Sequence, residues 1–375
     1  MIYLDNSATT RPCPEAVAAV QEALTDFWAN PSSLYRPGAE TRRRLEQSRQ
    51  EVAAAIGAEA KRVFFTSGGT ESDNWAISSA ARRLGKRGRH IVTTSVEHHA
   101  VLGPLKRLEE DGFTVTCLPP NPDGTVTAEA LQNALREDTI LVSVMLVNNE
   151  SGAVMPIERM AAITHRLCPN ALFHTDAVQG LFKVPFHARS LGADLISVSG
   201  HKVAGPKGVG ALYIRPGLPF PPLLPGGGQE QDFRSGTEAV PAILGFGAAC
   251  RVRMGHVREE IAHMTRLRDL CRDALSHIPG VVLLGEGTAP HIIGFSVPGH
   301  RSQELINRLQ DREIYVSAGS ACAKGRRSHV WKAMGLPNEV IDGAVRVSLC
   351  PDNTESDVLA LERAIWEDFS RGGAS

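Results

Sequence analysis

With 375 residues, 42% apolar and 22% charged, the chain can bury a sizeable core and divides most naturally into one large catalytic unit and a smaller companion. A formal net charge of -1 gives no electrostatic reason to expect nucleic acid or an anionic membrane as the main partner. The seven cysteines are scattered, with no CxxC pair and no zinc-like spacing, so the sequence points to a reducing cytoplasm and neither to a disulfide framework nor to a metal site. No uninterrupted apolar run approaches a membrane span, and the opening MIYLDNSATT lacks the pattern of a signal segment.

Residues 62–66 (RVFFT) read as a strand, followed by a Ser-Gly-Gly turn and a helix over about 71–84 closed by Gly85. Thr70, with Asp73 three residues on, resembles a helix-start cap. Further strands are expected at 90–94, 113–118, 140–147, 171–174, 195–198 and 210–214. Helices are expected after His98 and near 128–136 and 156–167. Such alternation implies an α/β fold, with a mostly parallel sheet covered by helices on both faces.

Past a Pro/Gly-rich segment at 216–228 the character changes. Residues 240–278 read as helix broken at Gly255. Strands follow near 281–284, 292–297, 314–316 and 345–349, with helices at 302–310 and 355–369. The organisation expected is a large domain over residues 13–255 and a smaller α+β domain built from 1–12 and 256–375.

Three segments carry chemistry. In TSGGTESDN (residues 66–74) a strand runs through glycines into a helix N-terminus, where exposed N–H groups and the helix dipole favour a phosphate. It is neither a Walker loop nor GxGxxG, and by itself it also fits an ordinary capped turn. In HTDAVQ (174–179) an apolar run ends near Asp176, at the carboxyl edge of the sheet where such folds place ligands. A carboxylate there either caps the helix after it or pairs with a cation, for which a pyridinium nitrogen is one candidate. In DLISVSGHK (194–202) a buried strand ends in Ser-Gly-His-Lys. Lys202 is either a solvated lysine or an amine whose surroundings suit it to imine formation with a carbonyl cofactor. Only eight lysines are present to compete for that role.

Taken in order, these segments resemble the fold-type I pyridoxal-phosphate enzymes of the class-V aminotransferase group, and more narrowly the NifS/IscS-type cysteine desulfurases. The similar segments run from YLDNSATT (3–10) through NPSSLY (30–35), TSGGTESDN, EHHAV (97–101), VNNE (147–150), HTDAVQ, SGHK, GGGQE (226–230), RSGT (234–237) and SAGSAC (317–322) to RVSL (346–349). Any one is weak; eleven in order are specific.

The resemblance implies pyridoxal 5'-phosphate as cofactor, with Gly69, Thr70, Ser199 and His201 on its phosphate. Asp176 would face the ring nitrogen, Gln179 the ring hydroxyl oxygen and Asn149 the ring, with His98 stacked on it and available for proton transfer. Lys202 would carry the cofactor. Thr237 would reach the phosphate from a partner subunit, which implies a homodimer. Arg346 would clamp the carboxylate of an L-cysteine substrate. Cys322 would take up the sulfur as a persulfide and deliver it to an acceptor protein. Its surroundings suit a nucleophile: small neighbours, then Lys324, Arg326 and Arg327, whose field favours a thiolate. The other six cysteines read as structural. The segment after it, CAKGRRSH (322–329), is compact beside relatives of the long-loop type. The alternatives are a selenocysteine lyase, another class-V transaminase, or a persulfide carrier without catalysis, which would lack the yellow of a bound cofactor.

Overall fold

The computed structural model describes residues 1–319 and 327–369. Its main feature is a seven-stranded sheet in the order Val63–Thr66, Gly210–Ile214, Leu195–Ser199, Leu172–Asp176, Thr139–Ser143, His90–Thr94 and Thr114–Leu118. Strand Gly210–Ile214 is antiparallel to both neighbours, and every other pairing is parallel. The five inner strands are buried throughout, whereas the edge strand Thr114–Leu118 is largely exposed. Consecutive side chains divide between two cores. Phe64, Ile91, Leu141, Leu172 and Leu195 pack under helices Gly69–Leu84 and His99–Glu110, while Phe65, Val92, Val142, Phe173 and Ile196 face the opposite layer. That alternation is the two-residue period of a strand with both faces covered.

Two long helices escaped the sequence reading: Pro14–Thr25 and Arg36–Ala55 pack on Val240–Met254. The expected helix cap also differs. Helix Gly69–Leu84 starts before Thr70, with Gly68 as its N-cap at φ 153° and ψ -178°. The turn is tight enough that a Cβ on Gly210 would lie 2.7 Å from the Gly68 backbone. The strand expected over 140–147 leaves the ladder at Ser143, although the N–H groups of Val144 and Leu146 go on to donate to His174 O and Asp176 O.

The helical stretch after the Pro/Gly segment breaks as expected, into Val240–Met254 and Val257–Ser276. Beyond it lies a three-stranded antiparallel sheet, Ala344–Ser348, Ile292–Ser296 and Val282–Leu284. Ile293, Phe295, Val345 and Val347 pack with helices Val257–Ser276 and Glu355–Phe369, and Leu4 from the N-terminal segment joins them. Ile292 and Ala344 belong instead to the core of the large sheet. The small sheet therefore turns one face to its own helices and the other, which carries Arg346, toward the large sheet.

Candidate active site

Three chain reversals at the carboxyl edge of the large sheet build one cavity of ≈ 240 Å³. Ten of the twelve residues expected at the site line it: Gly69, Thr70, His98, Asn149, Asp176, Gln179, Ser199, His201, Lys202 and Arg346. Thr237 is exposed on a surface loop and does not line it. Cys322, with Lys324 and Arg326, lies outside the described residues. Arg327 is described, and its Nε and Nη2 donate to the Asp342 carboxylate at 2.6 and 2.7 Å.

The first reversal brings strand Val63–Thr66 into helix Gly69–Leu84, aiming the first-turn N–H groups into the cavity. A side chain at position 69 would crowd Val178, whose Cγ2 would lie 2.7 Å from the added Cβ and would have to shift. On the second, strand Leu195–Ser199 passes through a single 3-10 turn to Lys202. The Lys202 ammonium donates to Ser7 O at 2.5 Å and Ala8 O at 2.8 Å. Those carbonyls are presented by the N-terminal segment, which is tied down by Thr10 N–H to His201 O at 2.9 Å and by Ala204 N–H to Thr10 Oγ1 at 2.8 Å.

The third reversal follows strand Leu172–Asp176. Asp176 Oδ1 accepts from Val178 N–H at 2.8 Å, so this carboxylate does cap the next turn, while it also lines the cavity. Burial, and then the nearby Asp73, push its pKa up to about 7. Asp73 is itself raised to about 7 by burial, and its Oδ1 stands 3.5 Å from His174 Nε2 without a hydrogen-bond partner. Two buried carboxylates are thus short of positive charge at the floor of the cavity.

His98 is the N-cap of helix His99–Glu110, with Nδ1 accepting from Ala100 N–H at 3.1 Å. Burial first, then the Lys202 charge, lower its pKa to about 4. The imidazole is therefore neutral with its proton on Nε2. His201 is likewise lowered to about 4 by burial, then by Lys202.

Opposite these groups stands Arg346, 2% exposed, from the small sheet. Its guanidinium donates to Asn149 O at 2.7 Å and Asp5 Oδ1 at 2.6 Å, while Nε has no partner. As a buried cation lining the cavity, Arg346 is the kind of group that holds a carboxylate.

Ser7, Ala8, Asp73, Met145, Val147 and Val178 also line the cavity and were assigned no role from the sequence. Ser7 and Ala8 stand in the YLDNSATT motif, and Asp73 lies one helical turn beyond Gly69, which was the available signal. Glu230, in GGGQE, is another functional candidate: it is buried, accepts from both arms of Arg49 at 2.6 and 2.8 Å, and accepts from Phe65 N–H at 2.7 Å. Among the described residues no group of three or more side chains is arranged to hold a metal ion.

A large, mostly parallel sheet with helices on both faces and a lysine-bearing cavity at its carboxyl edge is the fold-type I arrangement. The aminotransferase class-V family model matches residues 2–361, and the chain belongs to that family. It is 43% identical over 361 residues, 95% of this chain and 89% of the relative, to the cysteine desulfurase IscS of Methanosarcina thermophila. Among solved structures it is similar to a NifS-like protein (TM-score 0.92, 38% identity, 98% of each chain). It is also similar to SspA in complex with cysteine (TM-score 0.82, 30% identity, 94% of this chain and 100% of the other).

Proposed function

We infer that the protein is a cysteine desulfurase that works with pyridoxal 5'-phosphate. The observation that carries this is the placing of Lys202, Asp176 and Arg346 around one cavity. Relatives across nearly the full length bear that activity in their names, and SspA was solved with cysteine.

The residues present fit the cofactor. The Ser199 and Ser7 hydroxyls are buried without partners, and the helix N-terminus at Gly69 and Thr70 supplies N–H donors for a phosphate. Asp176 and Asp73 lack cationic compensation that a protonated ring nitrogen would provide. We assign the phosphate to Gly69, Thr70, Ser199 and His201, the ring nitrogen to Asp176, and the ring's remaining edge and face to Gln179, Asn149 and His98. When bound, pyridoxal phosphate supplies an electron sink for the bonds around the substrate's α-carbon.

The protein's own residues do the rest. Arg346 holds the cysteine carboxylate. Lys202 carries the cofactor and, once released, moves the α-proton, with neutral His98 able to give or take a proton at Nε2. The Cys322 thiolate attacks the substrate sulfur, the new S–S bond forms as the C–S bond breaks, and that electron pair stays with the carbon skeleton, which takes up a proton and leaves as alanine. Free cysteine plus enzyme thiol thus become alanine plus enzyme persulfide, without outside oxidant.

We propose a homodimer in which Thr237 reaches the partner's phosphate site. Thr237 is exposed away from its own cavity, and large apolar side chains stand in the open nearby in sequence to NPSSLY and GGGQE: Trp28, Leu34 (94% exposed), Tyr35 and Leu224. We also propose the division into residues 13–255 against 1–12 with 256–375, supported by the separate core around the small sheet. The persulfide's recipient is a sulfur-acceptor protein. A reducing cytoplasm is in keeping with the six cysteines among the described residues, all of them free. Among the described residues no helix is long and apolar enough to cross a membrane.

The test is Cys322→Ser. The variant should stay yellow and bind cysteine, while alanine production collapses and the persulfide mass disappears. Desolvation holds the thiols of Cys13, Cys168, Cys250, Cys271 and Cys350 above their ordinary value and raises that of Cys117 as well, although Cys117 is exposed on the edge strand. Alkylation at mildly acidic pH should therefore label Cys322 first. Full alanine production in the variant would leave a lyase or transaminase reading instead.

A further inference from the structure

Gln179 lines the cavity, 6% exposed, and its carboxamide bridges two buried partners. On one side it lies 2.9 Å from Ser7 O, on the other 3.4 Å from His291 Nε2. His291 immediately precedes strand Ile292–Ser296 of the small sheet, is 1% exposed, and is anchored through Leu349 N–H to its carbonyl at 2.8 Å. No residue of the resemblance gives it a role.

The proton bookkeeping here has one solution. Ser7 O is a carbonyl and can only accept, so the carboxamide must turn its Nε2 toward it. That leaves Oε1, an acceptor, facing His291, and the imidazole must present an N–H on Nε2. His291 Nδ1 has no hydrogen-bond partner, so nothing there competes for the proton. A second proton is disfavoured: the ring is fully buried, and Lys183, Arg346 and Lys202 all add positive charge around it, holding its pKa well below the ordinary histidine value.

We propose that His291 is a positioning residue that locks the Gln179 carboxamide with its NH₂ toward Ser7 and the cavity and its oxygen away. Ser7 O selects the orientation on one side, since the wrong one would set oxygen against that carbonyl, and the His291 Nε2–H holds the same orientation from the other side. Resting on the cofactor reading above, the lock keeps a donor aimed at the ring hydroxyl oxygen. It also couples the small sheet to the cofactor cavity through a second residue besides Arg346.

Two measurements separate the lock from the cofactor reading. The first uses the cofactor-free protein labelled with ¹⁵N-histidine. His291 should show the neutral Nε2–H tautomer with no titration between about pH 5.5 and 8.5, and Gln179→Leu should shift its Nε2 resonance. An Nδ1–H tautomer, or an ordinary titration, overturns the lock whatever the cofactor does. The second uses His291→Leu and His291→Gln with added pyridoxal phosphate. The leucine variant should bind the cofactor about tenfold more weakly and shift its visible absorption maximum, and the glutamine variant, which keeps a donor, should recover much of both. Unchanged affinity and spectrum in His291→Leu also overturn the proposal. Failure of the wild-type protein to take up pyridoxal phosphate at all would instead bring down the cofactor reading and leave the tautomer result standing.

Discussion

The two walls of the cavity are made in different ways. On the large-sheet wall, Asp176, Ser199, His201 and Lys202 sit at or just past the ends of neighbouring parallel strands, and Gly69 and Thr70 open a helix beside them. Each group is delivered by a tight local reversal, so its neighbours in sequence are its neighbours in space. On the small-sheet wall, Arg346 is a single charged side chain in an otherwise apolar and small-residue strand, brought to the cavity only because one face of that sheet packs against the large unit. His291 reaches Gln179 and does not itself line the cavity. On the function proposed above, gripping the cofactor would fall to local turns and recognition of the substrate to long-range packing.

If that division is real, mutations on the two walls should fail differently. The largest effect is expected at Lys202→Ala: turnover should fall about 10³-fold or more, and borohydride should no longer fix the cofactor to the chain. In the wild-type protein the reduced adduct should map to the peptide holding Lys202; an adduct on Lys207 would move the site. Arg346→Lys should behave otherwise. It keeps the charge but loses the fork that spans Asn149 O, Asp5 and the cavity. KM for cysteine should rise about 10- to 100-fold, the worth of one charge-assisted hydrogen bond at roughly 1.5–3 kcal/mol, while cofactor colour and its affinity stay as they were. A loss of colour in Arg346→Lys would erase the distinction between the walls.

The same difference explains what could be read from the sequence. Apolar runs bounded by Gly and polar turns located the inner strands and the cofactor-wall residues, since buried parallel strands and strand-end chemistry are both local signals. Arg346 was reached through a motif, and His291 left no trace, because a histidine before an apolar strand looks like any other until Gln179 and Ser7 O are placed beside it. Helix Arg36–Ala55 did carry periodic apolar positions, at Leu45, Val52 and Ala53, and a proline at its start. Its surface is rich in arginine and glutamate, and its meaning appears only when it packs on Val240–Met254. Thr70 was mistaken for a cap because Gly68, with a conformation only glycine adopts comfortably, offers no side chain to recognise.

The finest test concerns charge stored on the cofactor wall. In the cofactor-free protein Asp176 has its pKa raised from 3.8 to about 7, chiefly by burial. Between about pH 4 and 7 the folded chain therefore holds a proton there that the unfolded chain has lost, and stability falls as pH rises through that window. Asn at this position still offers Oδ1 to Val178 N–H but carries no such proton. Hence Asp176→Asn should gain thermal stability relative to wild type as pH climbs from about 4.5 to 7.5, by a few °C in Tm. His98 and His201, lowered to about 4, contribute slopes of opposite sign below their ordinary value, but they are common to both proteins and cancel in the difference. His174, Asp73 and Glu97 interact with the Asp176 charge, and their response is part of the difference measured. Added pyridoxal phosphate should reverse the order, because a cationic ring nitrogen turns the buried carboxylate from a cost into half of an ion pair that Asn cannot form. Turnover in the variant should be severely reduced for the same reason. A Tm difference that is flat with pH, and unmoved by the cofactor, would mean that Asp176 merely caps its turn.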